Sequence, residues 1–214
     1  MSSLGLSLRT SARDIPDLHL VMHAVAIRKH AAPEAIVPVA GLPAARVEAA
    51  LALGVAKGRL AAAGERYVLT PAGRLMLDGE YSRYCGELRA DARFAAGYER
   101  FEVVNRELKQ LITDWQTMEV GGKRVANDHS NEEYDGRILD RLGDLHERFE
   151  PILNGLVACA PRLAIYRQKL EAALAKAEDG DIAWVSDARL DSYHTAWFEL
   201  HEDLLRLLGR VRDE

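Results

Sequence analysis

The chain has only two cysteines, Cys85 and Cys159, among its 214 residues. Two scattered thiols do not make a disulfide framework, so we expect a reducing compartment and a cytoplasmic protein. Long apolar runs are also missing, because the stretch from Leu18 to Ile27 is interrupted by His19 and His23. It is far shorter than the roughly 18 residues of a membrane span, so we expect no membrane partner.

Several functional signatures are absent as well. The segment from Met1 to Leu8 has no basic start followed by an apolar core, so we expect no signal peptide. There is no internal repeat, no glycine-rich phosphate loop and no nucleophile elbow around Ser186 or Ser192. The tight metal-binding spacing His-Glu-x-x-His is also lacking. These absences predict a protein that is not an enzyme and has no cofactor or bound metal.

The charge is uneven along the chain. The net charge is −5, but residues 1–89 carry 11 Lys and Arg against 8 Asp and Glu, whereas residues 90–214 carry 17 against 25. A mildly basic front and an acidic back fit a nucleic-acid-facing module on a self-solubilising body. Ordinary surface scatter would give the same imbalance.

The front of the chain has the pattern of three short helices. Apolar residues spaced by three and four predict a first helix from about Asp17 to His30. Pro33 opens a second helix, and the Gly41 turn followed by Pro43 begins a third. The apolar stripe of this third helix is Val47, Leu51 and Val55.

A short hairpin and a capped helix follow. The strands are predicted at residues 60–62 and 66–69 around Gly64, and Thr70-Pro71-Ala72-Gly73 caps a helix that runs to about Leu88. This order of third helix, hairpin and Leu-Thr-Pro-x-Gly restart resembles winged helix-turn-helix regulators, in the broad sense that includes the MarR and PadR groups. The resemblance covers about residues 17–80.

The rest of the chain is predicted to be helical. Helices are expected from Phe94 to Met118, from Asn131 with a bend or restart at Pro151, from Pro161, and from about Asp191 to Arg212. Gly121-Gly122 breaks the first of these, and residues 120–130 are expected to be a polar loop. The predicted fold class is therefore mainly α: a winged helix-turn-helix domain at residues 14–89, then an α-helical bundle at residues 90–214 that serves as an effector and dimerisation domain.

The resemblance implies a set of DNA-contacting cations. In such folds the third helix enters the major groove and the wing touches the backbone. The outward face of that helix offers only Arg46 as a good reader of bases. Phosphate contacts are expected from the helix end, the wing and the first helix, at Lys57, Arg59, Arg66, Arg28 and Lys29, with Arg9 and Arg13 in the preceding arm. A winged fold that binds protein instead of DNA remains open.

Aromatic and histidine residues of the second domain are candidates for a ligand pocket. His194 and His201 share a face of the last predicted helix, about 10 Å apart along its axis, so one metal ion would not use both. A pocket walled by aromatic rings is one interpretation, with Arg162 or Arg167 as polar anchor. Ordinary helix packing is the other. The candidates are Trp115, His146, Tyr166, Tyr193, His194, Trp197 and His201.

The sequence therefore favours a DNA-binding transcriptional regulator, expected to be a homodimer that responds to a small-molecule effector. Residues 191–202 also resemble helical segments attached to phosphoenolpyruvate-utilising enzymes, which keeps open an accessory or protein-interaction module without DNA binding. A metal-binding helical protein, with one of His194 and His201, His146 and a carboxylate as ligands, is the third alternative.

Overall fold

The computed structural model describes residues 15–211, and within that range the protein is mainly helical. Its first elements are α1 (Asp17–Arg28), α2 (Pro33–Ala40), α3 (Ala44–Ala56), the hairpin β1 (Leu60–Ala63) and β2 (Arg66–Leu69), and α4 (Pro71–Tyr84). We call residues 17–84 the front unit. The order of three helices, a hairpin and a capped helix is the one expected from the sequence.

The remaining elements form the helical domain, residues 86–208. They are α5 (Gly86–Ala90), α6 (Ala92–Gln116), the hairpin β3 (Thr117–Val120) and β4 (Lys123–Ala126), α7 (Glu132–Cys159), a 3-10 turn (Pro161–Leu163), α8 (Ala164–Glu178), α9 (Ala183–Ser186) and α10 (Tyr193–Leu208). Phe101, Phe149 and Trp197 stack at its centre, with ring centroids of the first and last 5.1 Å apart.

Local sequence signals build the front unit. Gly41 ends α2 with a φ of 65°, a conformation that glycine adopts at little cost. The hydroxyl of Thr70 caps α4 by accepting from the Gly73 amide at 2.9 Å. Gly73 is required there for space, since a Cβ would lie 1.9 Å from the Arg59 carbonyl oxygen. The restart motif therefore fastens α4 against the chain that leaves α3.

The hairpin pairs in the antiparallel register Leu60↔Leu69 to Ala63↔Arg66. Tyr67 makes an additional bridge to Ala31, which precedes α2. The β1–β2 hairpin is thus hydrogen-bonded on its other edge to the link between the first two helices.

The structure corrects four expectations. The expected loop at residues 120–130 contains the hairpin β3–β4, which turns at Gly121-Gly122 with φ values of 58° and 75°. Helix α7 continues through Pro151 without restarting. The helix after Thr70 stops at Tyr84, and α5 follows separately. Val55 is 41% exposed, because Gly54 and not Val55 faces the core.

Among the described residues, no single helix is long and apolar enough to cross a membrane, and the one pair that reaches the required length together, α2 and α3, is bent by 109°.

Candidate functional site

The expected base reader, Arg46, lies exposed on α3 and is paired with Asp17 at the start of α1. Its Nε donates to Asp17 Oδ2 at 2.7 Å and its Nη2 to Oδ1 at 2.5 Å. The contact with Arg46 lowers the pKa of Asp17. Because both groups are in solvent, this pair contributes little to stability, and a phosphate can compete for the guanidinium.

Three further cations of the expected DNA face lie at the end of α3 and on the wing. Lys57, the residue after α3, is exposed and makes no ion pair with any described residue. Arg66 is exposed on β2 and donates to the His30 carbonyl at 3.3 Å. Arg59 is half-buried and pairs with Glu80 at 3.2 Å. Lys57 and Arg66 are therefore the most available cations of this set.

Arg28 and Lys29 contact the helical domain. The Arg28 guanidinium is 2.8 Å from Asp191 Oδ1 and also contacts Glu199, both in the helical domain. Lys29 is exposed and lies 5.2 Å over the ring of Phe198 on α10. That these two residues bind phosphates stays a prediction, and Arg28 would have to leave its two acids to do so. Arg9 and Arg13 lie outside the described residues.

The outward face of α3 is mostly apolar. Its solvent-facing positions are small or aliphatic apart from Arg46 and Glu48, and we call this stripe the α3 surface: Ala45, Ala49, Ala52, Leu53, Ala56. Leu53 is 44% exposed. Such a surface carries little hydrogen-bonding capacity for base edges.

The aromatic candidates for a ligand pocket are core residues. Tyr166, Tyr193 and Trp197 are each at most 2% exposed. The Trp197 indole donates to the buried Asn105 amide oxygen at 3.0 Å. Trp115 is also buried and packs on His129, with ring centroids 4.6 Å apart. These side chains pack between the helices of the core.

The histidine candidates likewise have internal surroundings. His201 Nε2 lies 2.8 Å from Glu102 Oε1, and His146 Nδ1 is 3.2 Å from the Tyr193 hydroxyl. Burial lowers the pKa of His146 and of His194. None of the seven predicted residues lines the three cavities described below. Residues 15–211 also contain no group of three or more His, Cys, Asp or Glu placed to hold a metal ion.

A buried polar cluster that the sequence did not predict joins the two units. Asp203 on α10 is fully buried and accepts from Arg162 Nη1 at 2.7 Å, from Nη2 of the same side chain, and from the Tyr166 hydroxyl at 2.9 Å. Burial alone would raise the pKa of Asp203, but Arg162 and then His23 hold it well below the ordinary value. The carboxylate is therefore charged in the core.

His23 connects this carboxylate to the front unit. Its Nε2 is 3.1 Å from Asp203 Oδ1, although the contact is not aligned as a straight hydrogen bond, and its Nδ1 is 2.5 Å from the Tyr81 hydroxyl. Burial, followed by the charge of Arg162, lowers the pKa of His23 to about 4. His23 is thus neutral at pH 7 and lies between α4 and α10.

A second polar tie lies at the other end of α1. Lys169 on α8 donates to Glu199 at 2.7 Å and lies 3.4 Å from Asp191. Both acids also contact Arg28 of α1. The first helix of the front unit is therefore joined to the helical domain by two separate sets of polar contacts.

A cavity of about 690 Å³ opens beside the buried cluster, and we call it the junction pocket. One wall is the α4–α5 link, from Ser82 to Leu88, and the opposite wall is the segment from Cys159 to Arg162. Ile15, Asp91 and Leu207 complete the lining. Arg162, one of the two anchors suggested by the sequence, is therefore in a pocket, whereas Arg167 bonds to Asn154 instead.

Two smaller cavities lie on the surface of the described chain. One of about 340 Å³ is next to Leu75 and Pro71 on α4, and one of about 470 Å³ lies beside the β3–β4 hairpin and Tyr134. Only the junction pocket among these three has walls from both units.

Comparison of the chain with known protein families, with characterised proteins and with solved structures gives no match.

Proposed function

We propose that the protein is a ligand-responsive regulator in the cytoplasm, in which a winged-helix front unit binds DNA mainly through phosphates and the helical domain controls its position. The observation that carries the proposal is the buried cluster around Asp203, which joins α1 and α4 to α10 beside a pocket. A shift of α10 would be transmitted to the front unit through His23.

The DNA contact is proposed from the cations that remain available. Lys57 and Arg66 lie at the end of α3 and on the wing, where winged helices touch the backbone. Arg46 adds a third cation once its exposed pair with Asp17 opens. Three phosphate contacts predict a slope of log affinity against log salt of about −3, or about −6 for a dimer. The apolar α3 surface predicts weak sequence preference.

The test is fluorescence anisotropy of a labelled duplex across a salt series, with several unrelated sequences. We expect Arg66→Ala to weaken binding equally on all sequences and to lower the salt slope by about 1. Arg137→Ala is the matched control, because Arg137 is exposed on α7, in the other unit. Absence of binding at low salt, or an equal effect of both variants, would remove the DNA proposal.

A second candidate role for α3 is self-association, because its apolar α3 surface matches a second copy of itself better than it matches base edges. Leu53→Asp distinguishes the two roles. If α3 is a dimer interface, this variant lowers the mass in sedimentation equilibrium. If α3 enters a groove, the mass is unchanged and DNA affinity falls.

The control for this experiment is Leu75→Asp. Leu75 on α4 is 76% exposed, so the Leu75→Asp variant places the same new charge on a different face of the same unit. A loss of mass in both variants would indicate unfolding or nonspecific association and would count against a dimer interface at α3.

A further inference from the structure

The junction pocket has the size and position of a small-molecule site. Its volume of about 690 Å³ is within the range of roughly 300–1,000 Å³ found for such sites, which occur preferentially between domains. Its walls come from the α4–α5 link, the end of α7 and the end of α10. An occupant would therefore touch both units at once.

The lining of the pocket is divided by chemistry. Apolar atoms supply most of the surface, and the aliphatic residues of the lining include Leu88, Pro161 and Leu207. Two cations, Arg83 and Arg162, face the same space. A long apolar body with one polar head group matches such a lining better than a compact polar molecule does.

Arg162 is the side chain that can recognise the polar head group of a ligand. A guanidinium has five N–H donors, and the described contacts of Arg162 use Nη1 and Nη2 for Asp203 only. Three of the five N–H groups are not used in these two bonds, so Arg162, which lines the pocket, has donors left for an acceptor on a ligand. Planar guanidinium donors match a carboxylate especially well.

The nearby charges favour an anion. Burial has the largest effect on the Cys85 thiol and raises its pKa, while Arg162 and Arg89 lower this pKa and Asp203 raises it. Of the two acids in the lining, Asp91 is already paired with Arg93, and Glu87 is exposed. Arg83 and Arg162 are therefore the charges of the lining that an anionic head group can contact.

We propose that the junction pocket binds a small amphipathic carboxylate, with its head on Arg162 and its aliphatic body against Leu88, Pro161 and Leu207. This site rests on the proposed function only for its regulatory consequence, since the binding itself needs no DNA. A carboxylate on the remaining donors of Arg162 shares this guanidinium with Asp203 and weakens the Arg162–Asp203 ion pair. It thereby loosens the contact through which His23 holds the front unit.

The two cysteines provide a built-in reporter. Cys85 and Cys159 are the only cysteines of the chain, and both line the junction pocket. Cys85 is 6% exposed, whereas Cys159 is more accessible. Alkylation of Cys159 by iodoacetamide, followed by mass spectrometry, therefore reports directly on occupancy.

The probe is octanoate, with 1-octanol as the neutral molecule of the same chain length. At about ten times its dissociation constant, octanoate is expected to slow alkylation of Cys159 about tenfold by mass action. Octanol is expected to protect much less, because it lacks the charge that Arg162 recognises. Equal protection by both, or protection by neither, overturns the carboxylate site.

A blocking variant places the effect in the pocket. Gly86 lines the pocket and a Cβ there meets no atom within 4 Å, so Gly86→Phe adds a ring without a backbone clash. Gly79→Phe is the matched control, since Gly79 on α4 is equally open and does not line the pocket. Octanoate binding, measured by calorimetry, is expected to be lost in the first variant and kept in the second.

Arg162→Lys keeps a positive charge for Asp203 but removes the planar donors, and it is expected to weaken octanoate binding about tenfold. Retained binding in both Gly86→Phe and Arg162→Lys overturns the proposal. The failure of the proposed function is a different result: octanoate protects Cys159, while no duplex is bound with or without octanoate.

Discussion

The buried position of His23 predicts that the junction between the two units weakens in mild acid. His23 is 3% exposed and faces Tyr81 from α4, Asp203 from α10 and Arg162 from the 3-10 turn, with His19 nearby on its own helix. Burial lowers its folded-state pKa from 6.5 to about 4. Between these two values the unfolded chain binds a proton that the folded chain does not.

The sign and size of the pH effect on the free energy of unfolding follow from this difference in proton binding. Stability contributed by neutral His23 is complete above about pH 6.5 and is lost as the pH falls towards 4. Lowering the pH from about 7.5 to about 5 is therefore expected to cost about 2 kcal/mol through His23 alone, and about 3 kcal/mol below pH 4. The contribution of Asp203, whose pKa is lowered from 3.8, is lost only in stronger acid.

Urea unfolding followed by circular dichroism at the two pH values measures this cost. His19, His146 and His194 also have lowered pKa values, so the whole protein loses stability in the same direction. The useful quantity is the difference between the wild type and His23→Gln. We expect the variant to lose about 2 kcal/mol less over the same pH interval.

His30→Gln serves as the control, because His30 follows the same helix and is exposed. Its pH dependence should match that of the wild type. If His23→Gln also keeps the full wild-type pH dependence, then His23 is not the buried neutral group described, and the link from Tyr81 to Asp203 has to be abandoned.

Two further predictions concern stability at neutral pH. Gly73→Ala is expected to lower the free energy of unfolding by about 3 kcal/mol, because its Cβ would overlap the Arg59 carbonyl. Gly79→Ala on the same helix should be neutral or raise the free energy of unfolding by up to about 1 kcal/mol. The urea midpoints of the two variants measure the difference. Asp203→Ala leaves the Arg162 charge buried without its partner and is expected to lower the free energy of unfolding by about 3–5 kcal/mol. A smaller loss, of about 1 kcal/mol, would show that water reaches this guanidinium.

The front unit could be predicted from the sequence because its signals are local. Gly41, Gly64 and the Thr70 cap each act within a few residues, so the local structure that they determine does not depend on residues far away in the sequence. The hairpin at Gly121-Gly122 has a weaker local signal: β-branched Val120 and Val125 lie on either side, but the glycine pair by itself indicates only a helix break.

The functional site could not be predicted in the same way. Helical spacing shows which residues share a face but not how deep that face lies, so it predicts pocket walls at Trp197 and Tyr193, which in the structure fill the core. The junction pocket is built from segments that are far apart in sequence, from Ile15 to Leu207. The buried cluster beside this pocket has a sequence signal, which is a polar residue at an apolar position: His23 lies in a run of aliphatic residues, and Asp203 lies beside two leucines.

Stability alone does not explain why charges hold the two units together. A buried ion pair can often be replaced by packed apolar residues without loss of stability, so an aliphatic junction would have fastened α10 to α1 equally well. Arg162 differs from such a contact because it also reaches a cavity, while its partner Asp203 is fully enclosed. A molecule in that cavity can therefore act on a group that the fold depends on, which an aliphatic side chain would not allow. This pairing of an enclosed carboxylate with a guanidinium that lines a cavity supports the proposed controlled junction more strongly than the helix and hairpin order of the front unit does.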